Sequence, residues 1–397
     1  MDDRTMEARS VEGRHAELAD LIDPLVAFRR DLHRNPELGF TEHRTAAKIA
    51  EALTDLGLEV HTGIGGTGVV GVLRNGGSAR KLALRADMDA LSIEEQTGLA
   101  YASCNAGVFH GCGHDGHVAM LLGAAQHLTR TRRFDGTVSF IFQPAEEGLG
   151  GARSMIEAGL FDLCPADEVY ALHNWPDLPA GTLETRPGPI MAAADKFEIT
   201  LTGRGGHAAM PHQTPDAILA ASALVGQLNT IVSRRIPPTS SAVLSVTQIH
   251  GGHAHNVLPP AVSVIGTVRS FDPPVQDAIE ATLRAMSQGV AASFGVAVQV
   301  SYDRYYPATI NHPQAASHAL AAGKCACRHA GVASEPAFTS EDFAFMLQAK
   351  AGAYAWLGQG GEGETVPLHH PRYDFNDAVI PYGSAWHVAI AEQRLSA

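Results

Sequence analysis

Between residues 68 and 174 the chain repeats one pattern: a short apolar run, a polar cluster at its end, then a stretch with helical spacing. The apolar runs are 68–74, 81–88, 137–143 and 167–174, and the third, TVSFIFQ, is almost continuously apolar. Strands that are apolar on both faces need helices to cover them. Two helical segments, 18–34 and 41–56, precede the runs, and 151–158 lies between the last two. The pattern predicts an α/β domain whose sheet lies beneath helices.

The pattern changes near Ala194. Residues 196–202 (KFEITLT) alternate apolar and polar, so one face of that strand meets solvent. A helix over 215–236, strands over 242–249 and 262–271, a helix over 275–294 and a strand over 297–302 follow. This βαββαβ order is that of a ferredoxin-like unit, read here as a domain inserted into the first. A helix over 313–330, a short helix over 343–348, a strand over 352–357 and a C-terminal helix from about Pro381 would then complete the first domain. The expected boundaries are 15–193 and 306–397 for the first domain and 194–305 for the insert. Residues 1–14 are charged and carry no apolar run, which reads as a short loose leader and not as a signal peptide.

A chain of 397 residues that is 45% hydrophobic suits two domains or more. Its net charge of −13 and lack of a Lys/Arg cluster make nucleic acid and anionic membranes poor partners. No stretch of about 18 apolar residues argues for a membrane span. Cys104, Cys112, Cys164, Cys325 and Cys327 are too few and too scattered for a disulfide framework, so a reducing, cytoplasmic compartment is expected. Cys325 and Cys327 sit two apart in a helical stretch, where they do not share a face.

Chemistry concentrates in His110-Gly111-Cys112-Gly113-His114-Asp115-Gly116-His117. Imidazoles and a thiolate are ready ligands for zinc and related metals, and the glycines let neighbouring side chains converge. Asp115 stands where the N-cap of a helix over 116–131 would fall. Other polar clusters close the apolar runs: Arg85 to Asp89, Gln143 to Glu147, and His173-Asn174. In open α/β sheets, sites form beyond such strand ends. Glu146 and Glu147 follow a buried-looking strand, and successive residues there point in different directions, so one can bind metal while its neighbour acts as a base. A lone Glu-Glu pair would read as a solvated turn, and a lone His173 as a core histidine. Leu368-His369-His370-Pro371 offers one more imidazole before a turn. Cys112, His114, Glu147, His173 and His369 would make five ligands, too many for one tetrahedral zinc with an open position and about right for two metals sharing a bridging group.

The strings RADMDAL, HGCGHDGH, QPAEEG, LHN, GGHAAMPH, NVLP, GTVRSF, SEDFA and LHHPRYDFND occur in this order. Together they resemble the aminoacylase/carboxypeptidase metallopeptidase family, and within it the amidohydrolase subgroup of hippurate hydrolases and auxin-conjugate hydrolases, from Leu32 to His387. The resemblance implies a mixed-sheet catalytic domain with an inserted dimerisation domain. It implies that Cys112, His114, Glu147, His173 and His369 bind two divalent metals, with His369 preferred to His370 because the family pattern is Leu-His-x-Pro. Zinc or manganese is expected there, and cobalt or nickel also suits the donors. Glu146 is the general base by the same resemblance. Asp89 stands in the place of the acid that supports a metal-binding histidine, and Asp87 in that of the wider family's first histidine ligand. His207 and Arg269 match residues of the inserted domain that reach a substrate in the partner subunit's site, with Asn256 beside them. Ser92 and Gly111 replace a common proline and alanine, without consequence for the chemistry.

Two local readings agree with this. On the strand over 262–271, Val262, Val264 and Val268 share one face, so Arg269 points to the other, where it is able to hold a carboxylate bidentately. His207 follows Gly205-Gly206, a flexible turn after a strand. The expected activity is hydrolysis of the amide bond of N-acyl amino acids by a homodimer. A dipeptidase or carboxypeptidase with the same site is the alternative enzyme, and a non-catalytic metal-bound binding protein the alternative without activity. An intact Glu146 and a full ligand set favour an enzyme.

Overall fold

The computed structural model describes residues 10–361 and 365–396. Residues 1–9 of the expected leader lie outside the described residues. The chain divides into two compact units, one running through Ile190 and resuming over Ile310–Glu335 and from Asp342, the other Met191–Thr309 with Pro336–Glu341.

The first unit is built on an eight-stranded mixed sheet in the order Glu59–Ile64, Gly68–Asn75, Gly136–Gln143, Lys81–Asp87, Glu168–Pro179, Ala351–Gly360, Thr182–Thr185, His329–Val332. Its four central strands, from Gly136–Gln143 to Ala351–Gly360, are parallel. Leu82, Leu84 and Ala86 join Val138, Phe140 and Phe142 in a core shared with helices Val11–Arg34, His114–Thr131, Pro313–Ala326 and Ile380–Arg394. The alternate positions face the other way. There Arg85, fully buried, lies against the Phe343 ring at 5.7 Å and bonds Gln143 and Asp342.

Several boundaries differ from expectation for local reasons. The first helix starts at Val11, ahead of Leu18, because the Ser10 hydroxyl caps the Gly13 N–H at 3.1 Å. Helix Pro313–Ala326 stops short of residue 330, and His329–Val332 pairs in parallel with Thr182–Thr185. Asp115 is not an N-cap. The helix begins at His114 after Gly113 at φ +87°, and the Asp115 carboxylate turns inward to Arg29 and His33. A Cβ on Gly113 would lie 2.5 Å from both the Asn174 Oδ1 and the Tyr373 hydroxyl, so only glycine fits.

The second unit is an antiparallel sheet in the order Ala242–His250, Ala261–Ser270, Ala193–Thr202, Ala297–Tyr306. Phe197, Ile199, Leu201, Val262, Val264 and Val268 pack one of its faces against Ala220, Leu224, Ile279 and Leu283 of helices Ala217–Leu228 and Pro273–Phe294. This is the ferredoxin-like arrangement. The helix expected over 215–236 is broken at Asn229 into Ala217–Leu228 and Thr230–Arg235.

Candidate metal centre

Because strands Lys81–Asp87, Gly136–Gln143 and Glu168–Pro179 run parallel, the residues after their apolar runs come to one edge of the sheet. There the His110–Gly113 loop with the first turn of the helix after it, the Glu146-Glu147 turn and the loop carrying His369 meet. Donor atoms of Cys112, Glu147 and His369 lie within 4.8 Å of one another, as do those of His114, Glu146 and Glu147.

Hydrogen bonds fix which ring nitrogen each histidine offers. His114 donates from Nδ1 to Asp89 Oδ1 at 3.0 Å, which leaves Nε2 as the nitrogen that a cation would take in exchange for its proton. That Nε2 is buried without a hydrogen-bond partner, 4.0 Å from Glu147 Oε1. His173 donates from Nδ1 to the Asn174 carbonyl at 2.7 Å, and its Nε2 lies 3.4 Å from Cys112 Sγ. His369 Nε2 is 3.1 Å from Glu147 Oε1. The neighbouring His370 uses its Nδ1 to accept the Arg372 N–H at 3.1 Å. The structure therefore brings together all five residues expected from the sequence as ligands, with ring nitrogens and a thiol facing inward and His114 Nε2 buried without a hydrogen-bond partner. This donor set fits divalent metal ions.

Asp87 and His117 also stand in this cluster, forming with His114 and His173 a fully buried group. His117 had been given no role. Its Nδ1 bonds Asp87 Oδ1, and its Nε2 lies 2.6 Å from Asn174 Oδ1 and 3.0 Å from the Asn174 backbone nitrogen. Asp87 Oδ2 accepts from Arg85 Nη1 at 2.8 Å. Both side chains are thus already engaged, and they pack beside His114 and His173. The helical i,i+3 spacing from His114 was the signal that His117 shares its side.

Charge balance points the same way. Burial would raise Asp87, but His114 and Arg85 hold it well below the usual carboxylate range. Burial, with Glu147, Glu146 and Asp87 nearby, pushes the Cys112 thiol well up. His114 would fall on burial alone, yet Asp87, Asp89 and Glu147 raise it to about 10. Burial and the neighbouring His117 push His173 well down. A pocket this rich in buried acids holds on to protons in the absence of a cation, and a cation would replace them.

Glu146 is buried, and its Oε1 accepts the Asp342 N–H at 3.3 Å. Ala145 just before it adopts φ +53°, and Glu42 Oε1 accepts the Ala145 N–H at 2.9 Å. His369 adopts φ +64° and donates its N–H to the Gly111 carbonyl at 2.8 Å. Two non-glycine residues in this sparsely populated region flank the donors, and strain of this kind persists only where surrounding bonds over-determine it. Asp89 links both halves, because its Oδ2 accepts the Glu147 N–H at 3.0 Å.

The remaining expected residues lie on the second unit. His207 and Asn256 meet on a small exposed ribbon, where Gly206–His207 pairs with Val257–Leu258 and Ala208 donates to the Asn256 carbonyl at 3.0 Å. His207 Nδ1 accepts the Ala209 N–H at 3.0 Å, so its Nε2–H is the free donor. Arg269 is half-buried, bonds the Val268 carbonyl at 2.9 Å, and has no acidic partner among the described residues. It pairs with Ala194, whereas the His207 ribbon leaves the sheet beyond the Thr202–Ala261 pair. Eight residues of strand separate those pairs, roughly 26 Å.

The profile of peptidase family M20/M25/M40 matches residues 83–393. The hippurate hydrolase of Campylobacter jejuni is 38% identical over 382 residues, 94% of this chain and 97% of that protein. Thermostable carboxypeptidase 2 of Saccharolobus solfataricus is 37% identical over 388 residues, 96% of this chain and 98% of that one. Among solved structures, the YXEP protein of Bacillus subtilis, described as a dinuclear metal binding peptidase, superposes with a TM-score of 0.83 at 33% identity, covering 95% of this chain and 99% of that one.

Proposed function

The chain belongs to peptidase family M20/M25/M40, in its amidohydrolase subgroup, and is a hydrolase of amide bonds; from that premise we propose that it cleaves N-acyl amino acids to a carboxylic acid and a free amino acid at a two-metal site. The observation that carries this reading is His114 Nε2, buried without a hydrogen-bond partner and grouped with the carboxylates of Glu146 and Glu147.

Cys112, His114, Glu147, His173 and His369 would hold the ions, zinc or manganese by the donor types, with cobalt or nickel also compatible. Bound there, they would supply Lewis acidity, which makes water acidic near neutral pH and polarises an amide carbonyl. Glu146 takes the proton of the attacking water on its carboxylate and returns it to the leaving nitrogen. Arg269, with no acidic partner among the described residues, binds the substrate carboxylate. His207 donates its Nε2–H to the carbonyl oxygen as negative charge develops there, with Asn256 beside it.

On this reading His207 and Arg269 of the inserted unit reach a substrate in the partner subunit's site, so a single site draws on two copies of the chain and the protein is a homodimer through the inserted unit. Five unpaired cysteines agree with a reducing cytoplasmic compartment.

The carboxypeptidase relative favours a second reading, hydrolysis of peptides by the same machinery. One experiment separates them: N-acetyl, N-benzoyl and N-indoleacetyl amino acids are assayed against dipeptides after reconstitution with each metal. Faster turnover of the acyl amino acids is expected. Turnover of dipeptides alone would overturn the proposal, and metal binding with no hydrolysis would leave a binding protein.

A further inference from the structure

His369 reaches the centre from a loop with no regular structure, yet it must meet donors about 250 residues away in sequence. We propose that Arg29, a residue of helix Val11–Arg34 that touches none of the donor atoms, is a positioning residue that locks the His369 loop onto the His110–His117 loop. The inference rests on the metal-site reading above.

Arg29 is fully buried. Its Nη1 lies 3.2 Å from Asp115 Oδ2, on the residue that follows His114. The same nitrogen is 3.4 Å from Asp374 Oδ1, and its Nε donates to Asp377 Oδ1 at 2.8 Å. Asp374 and Asp377 follow His369 in the chain, so one guanidinium joins both ligand-bearing segments. Tyr101 supports it: its hydroxyl donates to Asp374 Oδ2 at 2.7 Å, and its ring lies 4.8 Å from the guanidinium carbon. The two segments are also fitted by shape. A Cβ on Gly116 would fall 2.3 Å from the Phe375 ring, which shows how closely the His369 loop seats on the helix of His114. A planar fork with several fixed donors suits this double attachment, and an ammonium does not reproduce it.

The test uses the full-length protein, with Zn²⁺ or Mn²⁺ titrated against a competing chelator. Arg29→Lys keeps the charge and loses the fork. Asp377→Asn, at a partly exposed position, weakens only the attachment of the His369 side to this helix and serves if Arg29→Lys does not fold. Folded variants are expected to bind the more weakly held ion about tenfold or more less tightly than wild type, as for other residues that support ligands from outside. A role limited to packing would lower the melting temperature of the metal-free variants and leave affinity at the wild-type value; that result would overturn the proposal. If wild type itself binds no ion, the metal-site reading fails instead.

Discussion

The Asp89 carboxylate ties together the two halves of the centre: Oδ1 accepts from His114 Nδ1 and Oδ2 from the Glu147 backbone N–H, each at 3.0 Å. One side chain thereby sets the tautomer of an imidazole and the position of the glutamate opposite it.

Asp89→Asn should disturb both. An amide is able to turn only one oxygen to these two donors, so the other donor loses its acceptor. Metal affinity should fall about 10–100-fold. Chelator titration of the purified variant checks this, and wild-type affinity would remove Asp89 from its supporting role.

Glu146→Gln should keep its metal and lose about 10²–10⁴ in kcat, because the amide accepts no proton from water. Metal analysis alongside steady-state kinetics separates the two effects. Wild-type turnover in a metal-loaded variant would sink the base assignment.

Stability should depend on His33. Burial alone would lower its pKa, but the Asp115 and Glu95 carboxylates raise it from 6.5 to about 9. A pKa raised by folding adds stability that is complete below about 6.5 and lost as pH climbs through about 9, up to about 3 kcal/mol. Melting temperatures of wild type and His33→Gln should therefore differ more at pH 6 than at pH 9.5. A gap that widens toward high pH would contradict the assignment.

Mixing two inactive proteins, Glu146→Gln and His207→Ala, should restore activity if His207 serves a second copy. In a mixed dimer, one site holds an intact Glu146 and receives an intact His207, and the other has neither. With random exchange about half of the dimers are mixed, so roughly a quarter of wild-type activity should return. No recovery after verified exchange would confine His207 to its own chain or to no role.

The α/β first domain, the ferredoxin-like insert and the chemistry of the five donors were legible in the sequence. Periodicity reports which faces are covered, and residue type reports what a side chain is able to bind. Strands 68–74, 137–143 and 262–271 appear within a residue at each end, because their apolar patterns are dictated by burial. What stayed hidden depends on partners distant in the chain. Asp115 looked like a helix cap until Arg29 and His33 claimed its carboxylate from another helix. His117 had no expected role, and only the packing of Asp87 and Asn174 around its ring shows that both nitrogens are engaged. Short strands such as Thr182–Thr185 and His329–Val332 have too few residues for a period to register, and they exist because neighbouring strands offer their edges. Sequence thus pointed to the candidate donors, whereas tertiary structure decided which of their atoms hydrogen bonds leave open, since those bonds join segments that only folding brings into contact.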